Sequence, residues 1–435
     1  MTHDLLTLET FLANHEGIAI PAHSLQVQEL CLLDFMACGL GALRDDMVGA
    51  MARYAATLGA GGSSVFYTKD MLAHGAPARY SARDAAFING TIGHALDFDD
   101  THFGHIGHVS TVVIPATLAV AETTGADFDV ALRAMRIGSE VALRVGLWLG
   151  RSHYQAGWHQ TATAGAFGAA VAAGLLMGTH PRATLLNVAG FVAGQKAQFG
   201  SAMKPVNAGQ AAAHGVQAAS LAQAGLTGSP DVVAALLATH AGAGDTDAFA
   251  DLGQVWQFDD VTHKYHVCCH GTHAMIEALL SLQLPRGTGV DRIEVRTHPR
   301  WMTVCNKPDC NTWQEGKFSY AFLAALILNG ESTIGAGPEL NFPKSQATSD
   351  MMARVHVTAD ADIAEVASHV RVTLTSGEVL EARHDLSMDE PLTKRRARLI
   401  AKGEALLVNG VTTEITDAID ARDLGAVLRV MRRVD

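Results

Sequence analysis

Four short segments crowd together residue types that move protons and hold anions. The first, GHALDFDDTHFGHIGHVS at 93–110, sets Asp97, Asp99 and Asp100 within four positions and surrounds them with His94, His102, His105 and His108. So many ionisable groups are costly in one loop unless they pair, accept hydrogen bonds or bind something. The leading reading is an acid/base or anion-binding loop. A metal reading stays open, because His102, His105 and His108 recur every third residue. Against it, Gly104 and Gly107 interrupt any ligand-bearing helix face, and the chain has no His-Glu-x-x-His. A set of satisfied structural polar groups is the third alternative.

The second segment, HYQAGWHQTATAGAFGAA at 153–170, puts Tyr154 and His159 just before a small-residue helix. Thr161 and Thr163 could cap that helix, where free N–H groups and the dipole favour a carboxylate. The third, SAMKPVNAGQAAAHG at 201–215, carries Lys204 in a stretch with no other Lys, Arg, Asp or Glu. Pro205 and Gly209 suggest a loop leading into a helix, a place to hold a substrate carboxylate. The fourth, HKYHVCCHGTHAMIEAL at 263–279, holds His263, His266, Cys268, Cys269, His270 and His273. Zinc wants four well-spaced ligands, and adjacent Cys268 and Cys269 do not easily face one ion. Thr272 and His273 open a helix, again a favourable start for an anion.

Other motifs carry less. Asp97-Phe98-Asp99-Asp100 spells the Asp-x-Asp-Asp of class II terpene cyclases, but aromatic residues are only 6% of the chain and carbocations need aromatic shielding. LGAGGSS at 58–64 lacks the third Gly of a dinucleotide fingerprint and a following Lys-Ser/Thr, so it reads as a plain loop. No Gly-x-Ser-x-Gly is present, so an α/β-hydrolase is not supported.

The elements that must position these residues are mostly helices. In 435 residues, 48% are hydrophobic and 17% charged, which excludes a disordered chain and gives ample core. With 42 glycines and many alanines, packing should rest on small residues at close approach. Apolar residues recur at helical spacing at 25–40, 84–96, 111–123, 129–149, 163–177 and 182–193. No convincing strand precedes residue 250, and Pro115 fits the first turn of its helix. The apolar run at 161–177 is broken by Thr and reads as a buried core helix rather than a membrane span. After 264 the pattern changes. DRIEVRTH and RVHVTAD alternate with period two, and 369–386 reads as a hairpin turning at Ser376-Gly377. From Pro391 helical periodicity returns, and KRRARLIAK reads as a solvated helix face. The fold class is therefore mainly α: a large all-helical domain formed by both ends of the chain (1–262 and 391–435), with a smaller α+β lid domain inserted at 263–390.

The formal net charge of −12 argues against nucleic acid and anionic membrane as partners, which need a basic face. An anionic substrate needs a local basic pocket. Six cysteines with no Cys-x-x-Cys suggest a reducing, cytoplasmic setting. The N-terminal segment is acidic where a signal peptide would be basic.

Taken in order, FINGTIGHALDFDDTH, GHVSTVVIPATLAVAE, AGWHQTATAGAFGAA, KPVNAGQAAAHGVQAASLAQAGLTG, KYHVCCHGTHAMIEAL and CNKPDCNTWQEGKFSYAFLAAL resemble the MmgE/PrpD family. That family includes 2-methylcitrate dehydratases, cis-aconitate decarboxylases and iminodisuccinate epimerase. The resemblance implies a homodimer, a site in the cleft between the two domains, and neither metal nor organic cofactor. Carried residue by residue, it places the site Asp and Thr at Asp97 and Thr101, the loop His at His108, the next His at His159 and the Lys at Lys204. It puts a lid Tyr at Tyr320, with Cys269, His270 and His273 as further substrate contacts. Where the decarboxylases carry a His after the lid-entry Lys, this chain has Cys269, with His270 beside it. HYQAGWHQTAT also resembles the epimerase segment in which a Tyr is the acid/base, here Tyr154.

The chemistry so implied is removal of a proton next to a carboxylate or carbonyl of a small di- or tricarboxylate. It needs a base, a cation for the carboxylates and an acid. A 2-methylcitrate dehydratase-like lyase ranks first, an iminodisuccinate epimerase-like isomerase second and a cis-aconitate decarboxylase-like lyase third. A catalytically silent carboxylate-binding protein is the alternative from another class, but it would have no need of Asp97, His159 and Lys204. The expected site is a polar pocket lined by Asp97, His108, His159 and Lys204.

Overall fold

The computed structural model describes residues 3–334 and 342–433. The chain divides into two compact units, Met1–His263 with Arg395–Asp435, and Lys264–Lys394. The architecture is mainly α, with small sheets.

The first unit contains α1 (His3–Ala13), α2 (Ala22–Gly41), α3 (Asp46–Ala55), α4 (Lys69–Ala73), α5 (Ala82–Gly93), α6 (Ser110–Thr124), α7 (Phe128–Gln155), α8 (Gln160–Met177), α9 (Pro181–Ala189), α10 (Met203–Gln223) and α11 (Val232–Thr239). The helices Val411–Asp420 and Leu424–Met431 complete it, with most of Leu392–Leu406. Local chemistry sets many of the ends. Ser81 Oγ accepts from the Asp84 N–H at the start of α5, and the Asp127 carboxylate accepts from the Val130 N–H at the start of α7. Gly125 and Gly178 take the left-handed conformation that closes α6 and α8. Pro115 lies inside α6 rather than in its first turn, because the helix already begins at Ser110. Its missing N–H removes the bond to the Thr111 carbonyl.

Glycines bring the central helices into backbone contact. A Cβ on Gly209 of α10 would lie 2.1 Å from Thr91 Oγ1 and 2.3 Å from the Phe87 carbonyl oxygen of α5. A Cβ on Gly168 of α8 would lie 2.4 Å from the Gly138 carbonyl oxygen of α7. This is the small-residue packing that composition predicts, and it fixes how far apart the helices bearing His94, His159 and Lys204 can stand. Gly209→Ala is expected to destabilise the protein by about 1–3 kcal/mol through overpacking, since its nearest obstacles include a backbone carbonyl. A urea midpoint unchanged from wild type would show that the crossing can yield.

Two helical stretches, Ala22–Arg44 and Gln160–Met177, are long and apolar enough to cross a membrane. They are 78% and 83% buried within the fold, the mark of core helices. The unit also contains two short strands that the sequence did not suggest. β1 (Ala60–Ser64) pairs antiparallel with β2 (Arg79–Tyr80), so the segment read as a plain loop is partly a strand. AGGSS lacks the β-branched and aromatic residues that signal strands. The basic run at 394–402 is likewise not one solvated face. Arg395 donates to the Val261 carbonyl, Arg396 pairs with Asp420, and Lys402 is fully buried.

The second unit is built on a four-stranded sheet of order β4-β3-β5-β6. Its strands are β3 (Val290–Thr297), β4 (Val355–Ala359), β5 (Ala367–Leu374) and β6 (Val379–Asp385). β3 runs parallel to β4 and antiparallel to β5, and β5 and β6 form the predicted hairpin, with Gly377 at positive φ in its turn. Helix α12 (His273–Ser281) packs on β5 and β6.

Candidate active site

The loop from His94 to Val109 joins α5 to α6 and carries most of the ionisable cluster. His94 caps the end of α5, and its Nδ1 lies 2.8 and 3.0 Å from the two Asp99 oxygens. His108 Nδ1 lies 3.0 Å from Asp99 Oδ2, and its Nε2 is 3.3 Å from Asp97 Oδ1. From the first turn of α10, Lys204 Nζ reaches the same Asp97 oxygen at 2.7 Å. His159, immediately before α8, stacks 6.3 Å from His94, and Asn207 Nδ2 approaches its Nδ1 at 3.5 Å. Phe199 stands edge-on to His159 at 4.9 Å and lies 5.3 Å from Lys204 Nζ. Asp97, His108, His159 and Lys204 therefore form one cluster.

Its anchors come from neighbouring helices. The His108 N–H donates to Thr161 Oγ1 at 3.0 Å, tying the loop to α8. Thr161 and Thr163 do not cap α8 as expected. Thr161 serves the loop instead, and Thr163 Oγ1 lies 2.7 Å from His153 Nε2. Lys204 sits on the helix itself rather than in a preceding loop, because Pro205 is tolerated in the first turn and Gly209 is consumed by the α5 crossing. Asp97 adopts φ 53°, a left-handed conformation uncommon for a residue with a side chain.

Burial and charge set the protonation states. Burial opposes ionisation of Asp99, but His108 and His94 overcome it and hold the carboxyl well below the usual range. Burial pushes His108 down to about 4, against the pull of Asp99. Burial, then the Lys204 charge, hold His159 well below 6.5. A neutral His108 still has one N–H to offer a carboxylate, so the anions beside it and a neutral ring are compatible. A proton arriving on His108 would lie between Asp97 and Asp99. His159, neutral beside a lysine ammonium, is placed to accept one.

The regular histidine triplet disperses. His102 Nε2 pairs with the Gln257 carbonyl at 3.1 Å. His105 is buried against Gly146 with neither ring nitrogen hydrogen-bonded, and burial pushes it down to about 3. Among the described residues, two other groups bring potential ligand atoms within 4.8 Å: His94, Asp97, Asp99 and His108, and Cys31, Asp100 and His263. In the first, Lys204 already supplies positive charge at Asp97. In the second, Arg395 donates to His263 Nδ1 at 3.1 Å, which puts the imidazole proton on Nε2, 3.7 Å from Cys31 Sγ. That proton is where a metal would have to bind. Asp100 in this second group is pushed up to about 7 by burial, and it accepts from Ser110.

Thr101 pairs through its backbone with Thr262. Tyr154 lies in the last turn of α7, with Lys196 Nζ 3.9 Å from its ring centre. Cys269, His270, His273 and Tyr320 belong to the second unit. There Cys269 is half-buried and its N–H donates to the Lys317 carbonyl. The His270 and His273 rings are 4.5 Å apart, and burial holds His273 well below 6.5. The buried Tyr320 hydroxyl donates to the Gly271 carbonyl at 2.8 Å and pairs with Thr297. It holds the turn before α12. Sequence reasoning named His94 and Asp99 as members of the crowded loop but gave them no individual site role, and it did not name Asn207 or Phe199. The first two lay in plain view in a His-x-x-x-x-Asp spacing across a helix end. The others had no local signal.

Residues 7–244 match the MmgE/PrpD N-terminal domain and residues 266–421 the MmgE/PrpD C-terminal domain. Among curated proteins, the chain is similar to the cis-aconitate decarboxylase-like protein oryM of Aspergillus oryzae, 31% identical over 290 residues, covering 61% of this chain and 58% of that protein. It is also similar to cis-aconitate decarboxylase of Homo sapiens, 27% identical over 331 residues (69% of this chain, 67% of that one). Cis-aconitate decarboxylase of Mus musculus is 24% identical over 389 residues, with 80% and 78% covered.

Proposed function

The chain belongs to the MmgE/PrpD family, and on that footing we propose that it is a cofactor-independent lyase removing a proton next to a carboxylate of a small di- or tricarboxylate. The observation that carries the reading is a neutral, buried His159 and a cationic Lys204 gathered around the Asp97–His108–Asp99 group. Lys204 takes a substrate carboxylate, shared with or exchanged for Asp97. The charge so offset makes the neighbouring carbon acid easier to deprotonate. His159 accepts the proton. His159 then returns that proton in the second step, because His108, pushed down to about 4 by burial, carries no extra proton to give; bracketed by two carboxylates, His108 orients Asp97 and Asp99.

In a dehydration of the 2-methylcitrate kind, the C–H electron pair becomes a C=C bond while the C–O bond breaks and the hydroxyl leaves as water with the delivered proton. Cis-aconitate decarboxylation is the second reading, and the names of the similar proteins favour it. There a C–C bond breaks, CO₂ leaves, and the electron pair left on carbon takes the proton. Cys269, where the decarboxylases carry His, weighs against it. An iminodisuccinate epimerase-like reaction, with Tyr154 returning a proton on the opposite face, ranks between them in the reading from sequence. The same reading takes the protein as a cytoplasmic homodimer acting without metal or organic cofactor.

The test is incubation in D₂O with 2-methylcitrate, citrate, cis-aconitate and iminodisuccinate, followed by NMR. New alkene signals identify dehydration, loss of CO₂ identifies decarboxylation, and deuterium at a stereocentre without other change identifies epimerisation. If all four substrates stay unchanged and take up no deuterium, the reading fails.

A further inference from the structure

The helix Leu392–Leu406 sends one lysine into the interior. Lys402 is fully buried, and its Nζ lies 2.5 Å from Asp34 Oδ1 on α2. The same ammonium donates to the Phe98 carbonyl at 2.7 Å and sits 3.8 Å from the centre of the Phe98 ring. Phe98 lies between Asp97 and Asp99, the two carboxylates that flank His108. An anion from the N-terminal part of the chain and a cation from the C-terminal part thus meet beneath the loop that carries the candidate site.

A buried ion pair alone is weak evidence of stabilisation, because desolvation offsets the attraction. This pair does something more specific. The loop must hold Asp97 at φ 53°, a conformation that persists only where its surroundings impose it. The Phe98 carbonyl is the next fixed point along the chain, and the Phe98 ring is fully buried. With Phe98 clamped by its carbonyl and its ring, the carboxylates on either side are both directed to His108. Asp34 keeps the lysine charged: burial would lower its pKa, but Asp34 reverses this and raises it.

We propose that Lys402 is a positioning residue of the active site, holding the 97–100 loop through the Phe98 carbonyl, with Asp34 as its counter-ion. The inference rests on the proton-transfer reading only in its activity measurement. The loop measurement stands without it.

Amide hydrogen exchange on the wild-type protein comes first. The amides of 97–101 should exchange as slowly as those of α2 and of Leu392–Leu406, opening only with them. Exchange through a separate local opening, while both helices stay protected, overturns the proposal. The second measurement uses the double variant Asp34→Leu/Lys402→Met, which removes both charges and keeps the volume apolar. It should unfold cooperatively, yet its 97–101 amides should exchange at least about tenfold faster. On whichever substrate the protein turns over, kcat should fall about tenfold or more with KM little changed, the scale of loss expected from a small misplacement of reacting groups. Asp34→Asn, which leaves the Lys402–Phe98 bond in place, should keep the loop protected. A folded double variant with a protected loop and wild-type kcat refutes the role. If the double variant does not fold, the wild-type exchange pattern decides alone. If the loop is deprotected but no substrate reacts with any form, the proton-transfer reading falls and the positioning role stands.

Discussion

Lys204→Ala is expected to lower kcat/KM by about 10²-fold or more. The protein carries a net charge of −12, so a polycarboxylate approaches against the overall field and needs a local cation. Lys204 Nζ, on Asp97 at 2.7 Å, is the cation that the cluster holds. Losing a charge-assisted contact costs ~3 kcal/mol, which at ~1.4 kcal/mol per decade gives the stated factor. The position itself argues for function. Lys204 is the second residue of α10, where the helix dipole disfavours a positive charge. Its removal should therefore leave thermal stability nearly intact while activity falls. A second readout separates binding from indirect damage. The Lys204 charge contributes to depressing His159, after burial. In the variant the His159 pKa should rise, and the acid limb of any residual activity should move to higher pH. Unchanged kcat/KM would remove Lys204 from the site.

The site was legible in the sequence to the extent that its chemistry is local. Asp97 and His108 share one loop, and Lys204 stands alone among small residues, so residue type marked them out. Their convergence is not local. It depends on Gly209 meeting Thr91 and Phe87, and on Gly168 meeting Gly138, contacts between helices far apart in the chain. Composition announced close packing but not which glycines would carry it. The errors have the same origin. Thr161 has the residue type of a cap, yet its hydroxyl is taken by the His108 N–H from a different element. Lys402 closes a run of basic residues that looks solvated, and Asp34, brought in by α2, together with the Phe98 carbonyl makes its burial tolerable. The sheet of the second unit was read correctly because its alternation is written along each strand. The β1–β2 pair was missed because Gly and Ser carry no such alternation.

Replacing His159 by Asn should be the most damaging single change, lowering kcat by about 10²–10⁴-fold if the imidazole is the base. The fold should tolerate it. The His159 backbone carbonyl accepts from Ala162 and Thr163 at the start of α8 whatever the side chain, and Asn is itself a good N-cap residue. The pH dependence gives the sharper test. A base must be neutral to act, so activity is lost as pH falls through its pKa. Burial and the Lys204 ammonium hold His159 well below 6.5. The wild-type kcat/KM, which reports the free enzyme, should therefore stay level through pH 6.5 and fall only at lower pH. When a substrate carboxylate occupies Lys204, part of that positive field is offset. The His159 pKa then rises in the complex, so the acid limb of kcat should lie at higher pH than that of kcat/KM. His108, pushed down to about 4, would move less, because Lys204 comes last among the causes of its shift and second, after burial, among those of His159. Coincident limbs in the two profiles would mean that the titrating group does not sense Lys204, and the base would have to be sought elsewhere. A limb that persists in His159→Asn would point to the same conclusion from the opposite direction.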